Sequence, residues 1–313
     1  MDIPVFLVNG FLESGKTLFI QEVIKEGQFD EAGSVLLVAC EEGIEEYDMA
    51  FLKQKKVHLE IVENEEDLNE NFFRECQKRY RPDAIMIEYN GMWDAERVFN
   101  IKLPRRWGIV QVIVTVDTTT FTSYWNNMRS LMVNQFKEAD MVVFNRCEGQ
   151  VKKSSLRASV RGVNPGAQII YESSEGVTDK IDDDDLPFDI KADVIEIADT
   201  DFGLWYVDAI DNPKKYEGKT VKFKGQAYRN PKMGKTAFVP GRFAMTCCAD
   251  DVGFVGFYCN YENAGLLKPK DWVMVTADIK VEYKEDYQGE GPVLYAKNVE
   301  PCEKAEQDLV YFS

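Results

Sequence analysis

A short segment near the start of the chain carries the residue types that bind a nucleoside triphosphate. The segment Gly10–Thr17 reads GFLESGKT and fits the phosphate-binding pattern G-x-x-x-x-G-K-[ST]. In such a loop the backbone N–H groups face the phosphates, and the following helix adds its positive N-terminal end. We expect Lys16 to reach the β- and γ-phosphates and Thr17 to bind Mg²⁺. The expected contacts in this loop are Gly10, Glu13, Ser14, Gly15, Lys16 and Thr17.

A carboxylate and a glycine further along the chain complete a site for phosphate chemistry. Glu88 ends the apolar segment DAIMIE, and nucleotide hydrolases need a carboxylate near the metal at the end of a neighbouring strand. Strand-end carboxylates also occur as ordinary surface residues, so that alternative stays open. Gly91 is placed to offer a backbone N–H to the γ-phosphate. We therefore predict a catalytic set of Lys16, Glu88 and Gly91, with Thr17 and Glu88 as Mg²⁺ ligands.

A third segment is placed to recognise the base. Asn145-Arg146-Cys147-Glu148 follows the apolar run 141–144. GTP-binding proteins typically carry Asn-Lys-x-Asp at this place, where the acid accepts both N–H groups of guanine. Here Arg146 can stack on a purine, and Glu148 can accept a bidentate pair from one methylene further out. This pattern favours guanine and leaves adenine open.

The elements that must position these residues alternate between strands and helices. Apolar runs at 3–9, 34–40, 83–88, 109–116, 141–145 and 167–171 predict buried strands, and helical spacing lies between them, notably at 16–27, 65–80 and 121–139. Strands that are apolar on both faces are typical of a parallel sheet covered by helices. The first half is therefore predicted to be an α/β domain with a mostly parallel, doubly wound sheet, over residues 1–176.

The second half follows a different pattern. Residues 177–195 are acidic and predict a solvated linker, although the run Asp182–Asp185 leaves a metal-binding tract as an alternative. From residue 196 to 313, short segments that alternate apolar and polar residues are separated by Gly and Pro. These features predict a small antiparallel β-barrel of OB type.

Composition excludes several classes of protein. The formal net charge of −17 argues against a nucleic-acid partner, because phosphate backbones are bound by clustered Lys and Arg. The N-terminal segment lacks the basic start of a signal peptide, and no apolar run approaches the roughly 20 residues that span a bilayer. We expect a cytoplasmic protein without direct membrane insertion, whose cysteines are thiols.

Three of the seven cysteines lie close together in the second half. Cys247 and Cys248 are adjacent, and Cys259 ends a nearby predicted strand. With a turn between them, the three thiolates suit Zn²⁺. Two alternatives stay open: the cysteines are core thiols of a barrel, or the adjacent pair is redox-active.

The order of motifs in the first half resembles the CobW-like branch of P-loop GTPases, which is related to the HypB and UreG metallochaperones. The resemblance rests on VNGFLESGKT, IMIEYNGMWD, VTVDTTTF, QFKEADMVVFNR and VNPGAQIIYESSEG, in this order. It implies binding and slow hydrolysis of Mg-GTP and a role in delivering a transition metal. It adds Thr115 and Asp117 to the expected nucleotide contacts and implies that Glu41 is a switch carboxylate near Mg²⁺ or near the cargo metal. The family's usual C-x-C-C metal motif is missing between Val57 and Glu75.

The second half resembles a domain of unknown function that ends certain bacterial membrane proteins paired with permeases. The segments that carry this resemblance are GKTVKFKGQAY and FVPGRFAMTCCADDVGFVGFYC. A fusion with a CobW-like domain implies a metal-requiring client protein or a permease-linked partner.

Three functions remain open from the sequence. The first is a GTPase that acts as a metallochaperone or metal-homeostasis switch with GTP and Mg²⁺, with Zn²⁺ as a further candidate metal, and as a nucleotide-dependent homodimer. The second is a nucleotide-responsive adaptor for a permease, with negligible hydrolysis. The third is an ATP-dependent kinase.

Overall fold

The computed structural model describes residues 2–41, 43, 45–149, 151–230, 233–246 and 251–312. The chain divides into two compact units. The first comprises Met1–Val151 and Val163–Asp179, and the second comprises Lys152–Gly162 and Lys180–Ser313.

Over the described residues, the first unit contains one sheet of eight strands in the order β3-β2-β4-β1-β5-β6-β7-β8. Neighbouring strands are parallel except for β7 and β8. This arrangement confirms the predicted mostly parallel sheet. The strands are β1 (Ile3–Asn9), β2 (Val35–Ala39), β3 (Val57–Ile61), β4 (Ala84–Glu88), β5 (Trp107–Asp117), β6 (Met141–Asn145), β7 (Gln168–Ser173) and β8 (Gly176–Thr178).

The helices of the first unit cover this sheet. They are α1 (Lys16–Lys25), α2 (Met49–Gln54), α3 (Glu70–Tyr80), α4 (Ala95–Asn100), α5 (Thr118–Asn127) and α6 (Arg129–Lys137). The single helix predicted over 121–139 is wrong, because Met128, with φ −133° and ψ 33°, separates α5 from α6. The residues of α5, TTTFTSYWNN, are poor helix formers, so propensity does not carry one helix through this point. The helix predicted over 65–80 begins only at Glu70, where Asn69 caps it.

The central strands are apolar on both faces because helices pack against each side of the sheet. Val5, Leu36 and Ile85 belong to one buried cluster, and Val8, Leu37 and Met86 belong to the other. The parallel register brings strand ends together: Val8 pairs with Glu88, and Asp117 pairs with Asn145. The carboxyl edge of the sheet therefore collects the segments that follow β1, β4, β5 and β6.

The second unit contains a closed barrel. Among the described residues, β11, β13, β15, β14 and β10 pair in that order, and β10 pairs in turn with β11, so five strands close the ring. The predicted barrel is confirmed, but β13 and β15 are parallel, whereas an antiparallel barrel was expected. The strands of this unit are β9 (Val194–Glu196), β10 (Thr220–Tyr228), β11 (Ala237–Ala244), β12 (Gly253–Gly256), β13 (Cys259–Asn260), β14 (Trp272–Lys284), β15 (Gly289–Pro301) and β16 (Leu309–Val310).

Three helices belong to the same unit: α7 (Lys153–Arg161), α8 (Phe202–Asp211) and α9 (Pro213–Tyr216). The acidic run before the barrel has a structural contact, because the Asp185 carboxylate accepts hydrogen bonds from the backbone N–H groups of Lys153 and Ser154 at the start of α7. The next residues supply Leu186, Phe188 and Ile190 to the buried core of the unit.

Candidate functional site

The predicted phosphate-binding loop lies between β1 and α1, and its glycines are required by its shape. Gly10 has φ 141°, and a Cβ there would stand 2.4 Å from the Thr115 carbonyl oxygen. Only glycine adopts this conformation without strain at so close an approach. The Ser14 and Thr115 hydroxyls are hydrogen-bonded at 2.7 Å. The loop is therefore closed against the end of β5, and α1 presents its N-terminal end behind it, an arrangement suited to an anion.

Lys16 is buried within the loop, with only 2% of its surface exposed. Its ammonium donates to the carbonyl oxygens of Gly10, at 2.8 Å, and Phe11, at 2.9 Å. It also forms an ion pair with Glu41. A buried ammonium needs an anionic partner, and the Glu41 carboxylate supplies it in this structure. Glu41 thus occupies the place expected of a phosphate oxygen.

The predicted magnesium ligands lie together at the end of β4. The Thr17 hydroxyl donates to Glu88 Oε1 at 2.7 Å, and the Tyr47 hydroxyl donates to Glu88 Oε2 at 2.5 Å. Burial raises the pKa of Glu88, although the hydrogen bonds from Tyr47 and Thr17 and the nearby Lys16 charge act in the opposite direction. Burial and the Glu88 charge raise the pKa of Tyr47, so its hydroxyl stays a donor. A hydroxyl and a carboxylate beside a phosphate loop are the hard oxygen donors that Mg²⁺ takes.

Gly91 lies directly against the phosphate-binding loop. A Cβ at Gly91 would stand 2.1 Å from the Gly10 carbonyl oxygen and 2.8 Å from Phe11 Cα. The Gly91 carbonyl oxygen accepts a hydrogen bond from Gln135 Nε2 at 2.9 Å. The structure therefore places Gly91 against the loop, and the hydrogen bond from Gln135 links it to α6.

Asn145 joins the base-recognition segment to the loop. Its Nδ2 donates to the Ser14 carbonyl oxygen at 2.6 Å, and a Cβ at Gly15 would stand 2.6 Å from that nitrogen. Arg146 forms an ion pair with Asp117 and donates to the Glu13 carbonyl oxygen at 3.3 Å. Asp117 also caps α5 by accepting from the Thr119 N–H at 2.8 Å. Asp117 therefore positions Arg146 and begins a helix.

Two adjoining cavities run along this edge of the first unit. The one on the phosphate side, about 130 Å³, is lined by Glu13, Gly15, Lys16, Thr17, Leu18, Glu41, Gly43, Glu45, Glu88 and Arg146. The one on the base side, about 270 Å³, is lined by Gly15, Leu18, Phe19, Glu22, Thr115, Val143, Asn145, Arg146, Glu148, Glu172, Ser173 and Ser174. Gly15, Leu18 and Arg146 line both. The structure thus brings the phosphate and base motifs to one continuous surface.

The base-side cavity is rich in carboxylates. Glu148 Oε1 accepts a hydrogen bond from the Ser174 backbone N–H at 3.0 Å. Burial, with the charges of Glu22 and Glu148, raises the pKa of Glu172. Three residues of this edge were not predicted from the sequence: Glu22, Glu172 and Tyr47. Glu172 carried a usable signal, because it lies at the carboxyl end of a predicted strand, whereas Glu22 and Tyr47 carried none.

The predicted zinc ligands are only partly within the described residues. Cys247 and Cys248 lie outside them. Cys259 is fully buried in the apolar core of the second unit, and burial raises the pKa of its thiol to about 12. Where the chain is described, no group of three His, Cys, Asp or Glu side chains is placed to hold a metal ion. The position of Cys259 favours the alternative of a core thiol.

Profiles of two known domain families match the two halves of the chain. The profile of the CobW/HypB/UreG nucleotide-binding domain matches residues 4–171, and the profile of the DUF1980 C-terminal domain matches residues 177–312. The UPF0703 protein YcgQ of Bacillus subtilis (strain 168) is 23% identical over 117 residues, which are 37% of this chain and 41% of YcgQ. The chain thus spans less than half the length of that curated relative. Over the described residues, no helix is long and apolar enough to cross a membrane.

Two solved structures resemble part of the chain. The Zn(II)-bound YjiA GTPase from E. coli has 21% sequence identity and a TM-score of 0.40, over 58% of this chain and 60% of that one. The hydrogenase maturation factor HypB from Archaeoglobus fulgidus has 19% identity and a TM-score of 0.40, over 55% of this chain and 82% of that one.

Proposed function

Because the chain belongs to the CobW/HypB/UreG family of nucleotide-binding proteins, we propose that it is a GTPase that uses Mg-GTP to control the transfer of a metal ion or a partner protein. The observation that carries this proposal is the cluster at the carboxyl edge of the sheet. Lys16 and Glu41 are paired there, Thr17 is hydrogen-bonded to Glu88, and the base-side cavity with Glu148 adjoins them.

The loop residues account for binding of the phosphates. The N-terminal end of α1 and the loop N–H groups favour anionic oxygens. Lys16 is held in the loop by the Gly10 and Phe11 carbonyl oxygens, so its ammonium is already aimed before a ligand arrives. Binding exchanges the Glu41 carboxylate for a phosphate as the anionic partner of Lys16. Glu41 is thereby released from Lys16. Phosphate binding is therefore coupled to the part of the chain after β2 that contains Glu41.

Thr17 and Glu88, the proposed Mg²⁺ ligands, account for hydrolysis together with Lys16 and Gly91. Thr17 and Glu88 would hold Mg²⁺, which in this enzyme class neutralises charge on the transferring phosphoryl group. Glu88 supplies the carboxylate, and Lys16 stabilises negative charge on the phosphates. Gly91, at the loop, is the expected backbone donor to the γ-phosphate and makes the segment after β4 a nucleotide-sensing element.

The base-side cavity favours guanine. Guanine presents two neighbouring N–H donors, at N1 and at the exocyclic amine, whereas the corresponding edge of adenine presents one donor group and an acceptor. An ionised carboxylate has hydrogen-bond acceptors and no donor. Glu148, Glu22 and Glu172 all line this cavity, so in their ionised form they present only acceptors to the base. Such a lining satisfies guanine and leaves the adenine N1 acceptor facing carboxylates.

The metal-handling part of the proposal rests on the family. A metallochaperone-type role fits the CobW/HypB/UreG profile, while the inherited C-x-C-C motif is missing from this chain. Zinc binding by Cys247, Cys248 and Cys259 remains a proposal, and the burial of Cys259 weighs against it.

For the barrel we infer the OB type from its strand order. The strands β10, β11 and β13 form an antiparallel meander, and β13 is parallel to β15, the last strand of the ring. The antiparallel pair of β14 and β10 closes the barrel.

A paired titration with GTP and ATP tests the proposed function. We expect GTP to bind at least about ten-fold more tightly than ATP in Mg²⁺ buffer, with slow release of phosphate. Glu88→Gln removes the metal carboxylate, so phosphate release should fall at least about 100-fold while GTP binding in EDTA persists. Glu45→Gln, an exposed acid lining the same cavity, is the matched control.

The other outcomes of this titration decide between the remaining functions. Preference for ATP would overturn the GTPase proposal and favour a kinase. GTP binding without phosphate release, equal in the wild type and in Glu88→Gln, would overturn the hydrolase and favour a nucleotide-responsive adaptor. A change of the release rate on addition of Zn²⁺, lost in a Cys247→Ser and Cys248→Ser double variant, would support the zinc proposal.

A further inference from the structure

We propose that Tyr47 is a positioning residue that fixes the Glu88 carboxylate for magnesium. This inference rests on the proposed function, because it concerns the same proposed Mg²⁺ ligands, Thr17 and Glu88. It begins from the two oxygens of Glu88, which have different partners. Oε2 accepts from the Tyr47 hydroxyl at 2.5 Å, and Oε1 accepts from the Thr17 hydroxyl at 2.7 Å.

The Tyr47 hydroxyl is held in place without help from a nucleotide. Its ring packs against the buried cluster that includes Val8, Ile20 and Leu37. The next residue, Asp48, is the N-cap of α2 and accepts hydrogen bonds from the Ala50 N–H at 2.9 Å and the Phe51 N–H at 3.1 Å. A capped helix on one side and a packed ring on the other fix the position of the phenol. Tyr47 is therefore an anchored donor.

Anchoring one oxygen determines what the other can do. Glu88 is 2% exposed, so water does not compete for its oxygens. The hydrogen bond from Tyr47 occupies one lone pair of Oε2, whereas Oε1 is the oxygen on the side of Thr17, so this arrangement favours Oε1 as the oxygen that binds a cation beside Thr17. Hydrogen bonds to a ligating carboxylate orient it and tune its affinity for metal, and loss of such a partner typically weakens binding by about 10- to 100-fold. The Tyr47 hydroxyl sets that orientation and does not itself bind the metal.

A purely structural role for Tyr47 makes a different prediction. If the hydroxyl only latched the segment before α2 to the sheet, its removal would lower thermal stability and leave the magnesium dependence of nucleotide binding unchanged. Tyr47→Phe separates the two roles, because it keeps the packed ring and removes only the hydroxyl. Tyr80→Phe is the matched control: it also removes a tyrosine–glutamate hydrogen bond, to Glu60, in the same unit away from the cavities.

The experiment titrates Mg²⁺ into the protein with a fluorescent GDP analogue, starting from EDTA. In Tyr47→Phe we expect unchanged nucleotide affinity in EDTA, within about two-fold, and a 10- to 100-fold higher Mg²⁺ concentration for half-maximal tightening. Tyr80→Phe should follow the wild type in both. Melting of each variant without nucleotide checks that it is folded.

Each remaining outcome overturns the inference in a distinguishable way. A wild type that tightens with Mg²⁺ and a Tyr47→Phe variant with the same Mg²⁺ midpoint would overturn the positioning role and leave the proposed GTPase intact. Equal loss of affinity in EDTA and in Mg²⁺ would show that Tyr47 supports the loop and does not position the metal ligand. A wild type that binds the analogue without any response to Mg²⁺ would overturn both proposals.

Discussion

Gly91 lies so close to Gly10 that a Cβ on Gly91 would stand 2.1 Å from the Gly10 carbonyl oxygen. The two glycines come from segments that are far apart in the chain, after β4 and after β1, and neighbouring parallel strands bring them together. The contact is between backbones, so no side-chain rotation relieves it. A movement of either segment must therefore move the other.

This contact predicts the effect of Gly91→Ala. The added methyl group forces the phosphate-binding loop or the end of β4 to shift, which should cost about 1–3 kcal/mol of stability. Because the displaced atoms belong to the loop itself, we expect GTP affinity to fall at least about ten-fold. Nucleotide titration and thermal melting measure both effects. Gly108→Ala is the control, since nothing lies within 4 Å of a Cβ there. Unchanged GTP affinity in Gly91→Ala would contradict the contact.

The ion pair between Lys16 and Glu41 predicts that Glu41→Gln binds nucleotide more tightly in the absence of Mg²⁺. A phosphate must displace the Glu41 carboxylate, and a neutral amide competes less for the ammonium by about 1 kcal/mol, or roughly five-fold in affinity. The variant without nucleotide should melt earlier, because the buried ammonium loses its anionic partner. Titration in EDTA with a fluorescent nucleotide measures the affinity, with Glu45→Gln as control. Weaker binding in EDTA would show that Glu41 does not compete with phosphate.

The lining of the base-side cavity predicts how Glu148→Gln changes base selectivity. Glutamine offers one acceptor and one donor, so it cannot accept both guanine N–H groups. The unpaired donor should weaken GTP binding by about 10- to 100-fold. ATP affinity of the same variant serves as an internal control and should change by less than about three-fold. Glu175→Gln, an exposed acid not in the cavity lining, controls for charge. Equal losses for GTP and ATP would mean that Glu148 does not read the base.

The buried thiol of Cys259 predicts a pH-dependent reactivity. Burial raises its pKa to about 12, so the thiol keeps its proton at neutral pH and only about one molecule in 10⁴ carries the nucleophilic thiolate at pH 8. Raising the pH to 10 should therefore increase its alkylation about 100-fold, whereas an unfolded thiol is half ionised near its ordinary value of 9.0. Alkylation mapped by mass spectrometry at both pH values measures this. Half-buried Cys302 is the internal reference and should react faster at pH 8. Equal rates for the two thiols at pH 8 would contradict the burial.

Much of the fold could be predicted from the sequence because its signals are local. The loop Gly10–Thr17 is one contiguous segment whose conformation depends on its own glycines, and the alternation of apolar strands with helices indicates a parallel sheet. The change to alternating apolar and polar residues after residue 196 predicted a barrel. The break at Met128 was missed, since two short helices and one long helix share the same periodicity.

For the candidate site as well, local signals predict some features, and others depend on how distant segments pack. The residue types of the site follow from the sequence alone: a phosphate loop, a strand-end carboxylate at Glu88 and a base-recognition segment at Asn145–Glu148. The three-dimensional fold was needed to show that Lys16 is paired with Glu41, that Tyr47 donates to one oxygen of Glu88, and that Glu22 and Glu172 line the base-side cavity with Glu148. These partners lie tens of residues apart, and no periodicity specifies which strand ends are neighbours. The order in which the parallel strands pair brings these partner residues to the same edge of the sheet. Charges and hydrogen bonds act only over short distances, and those distances are set by the strand order.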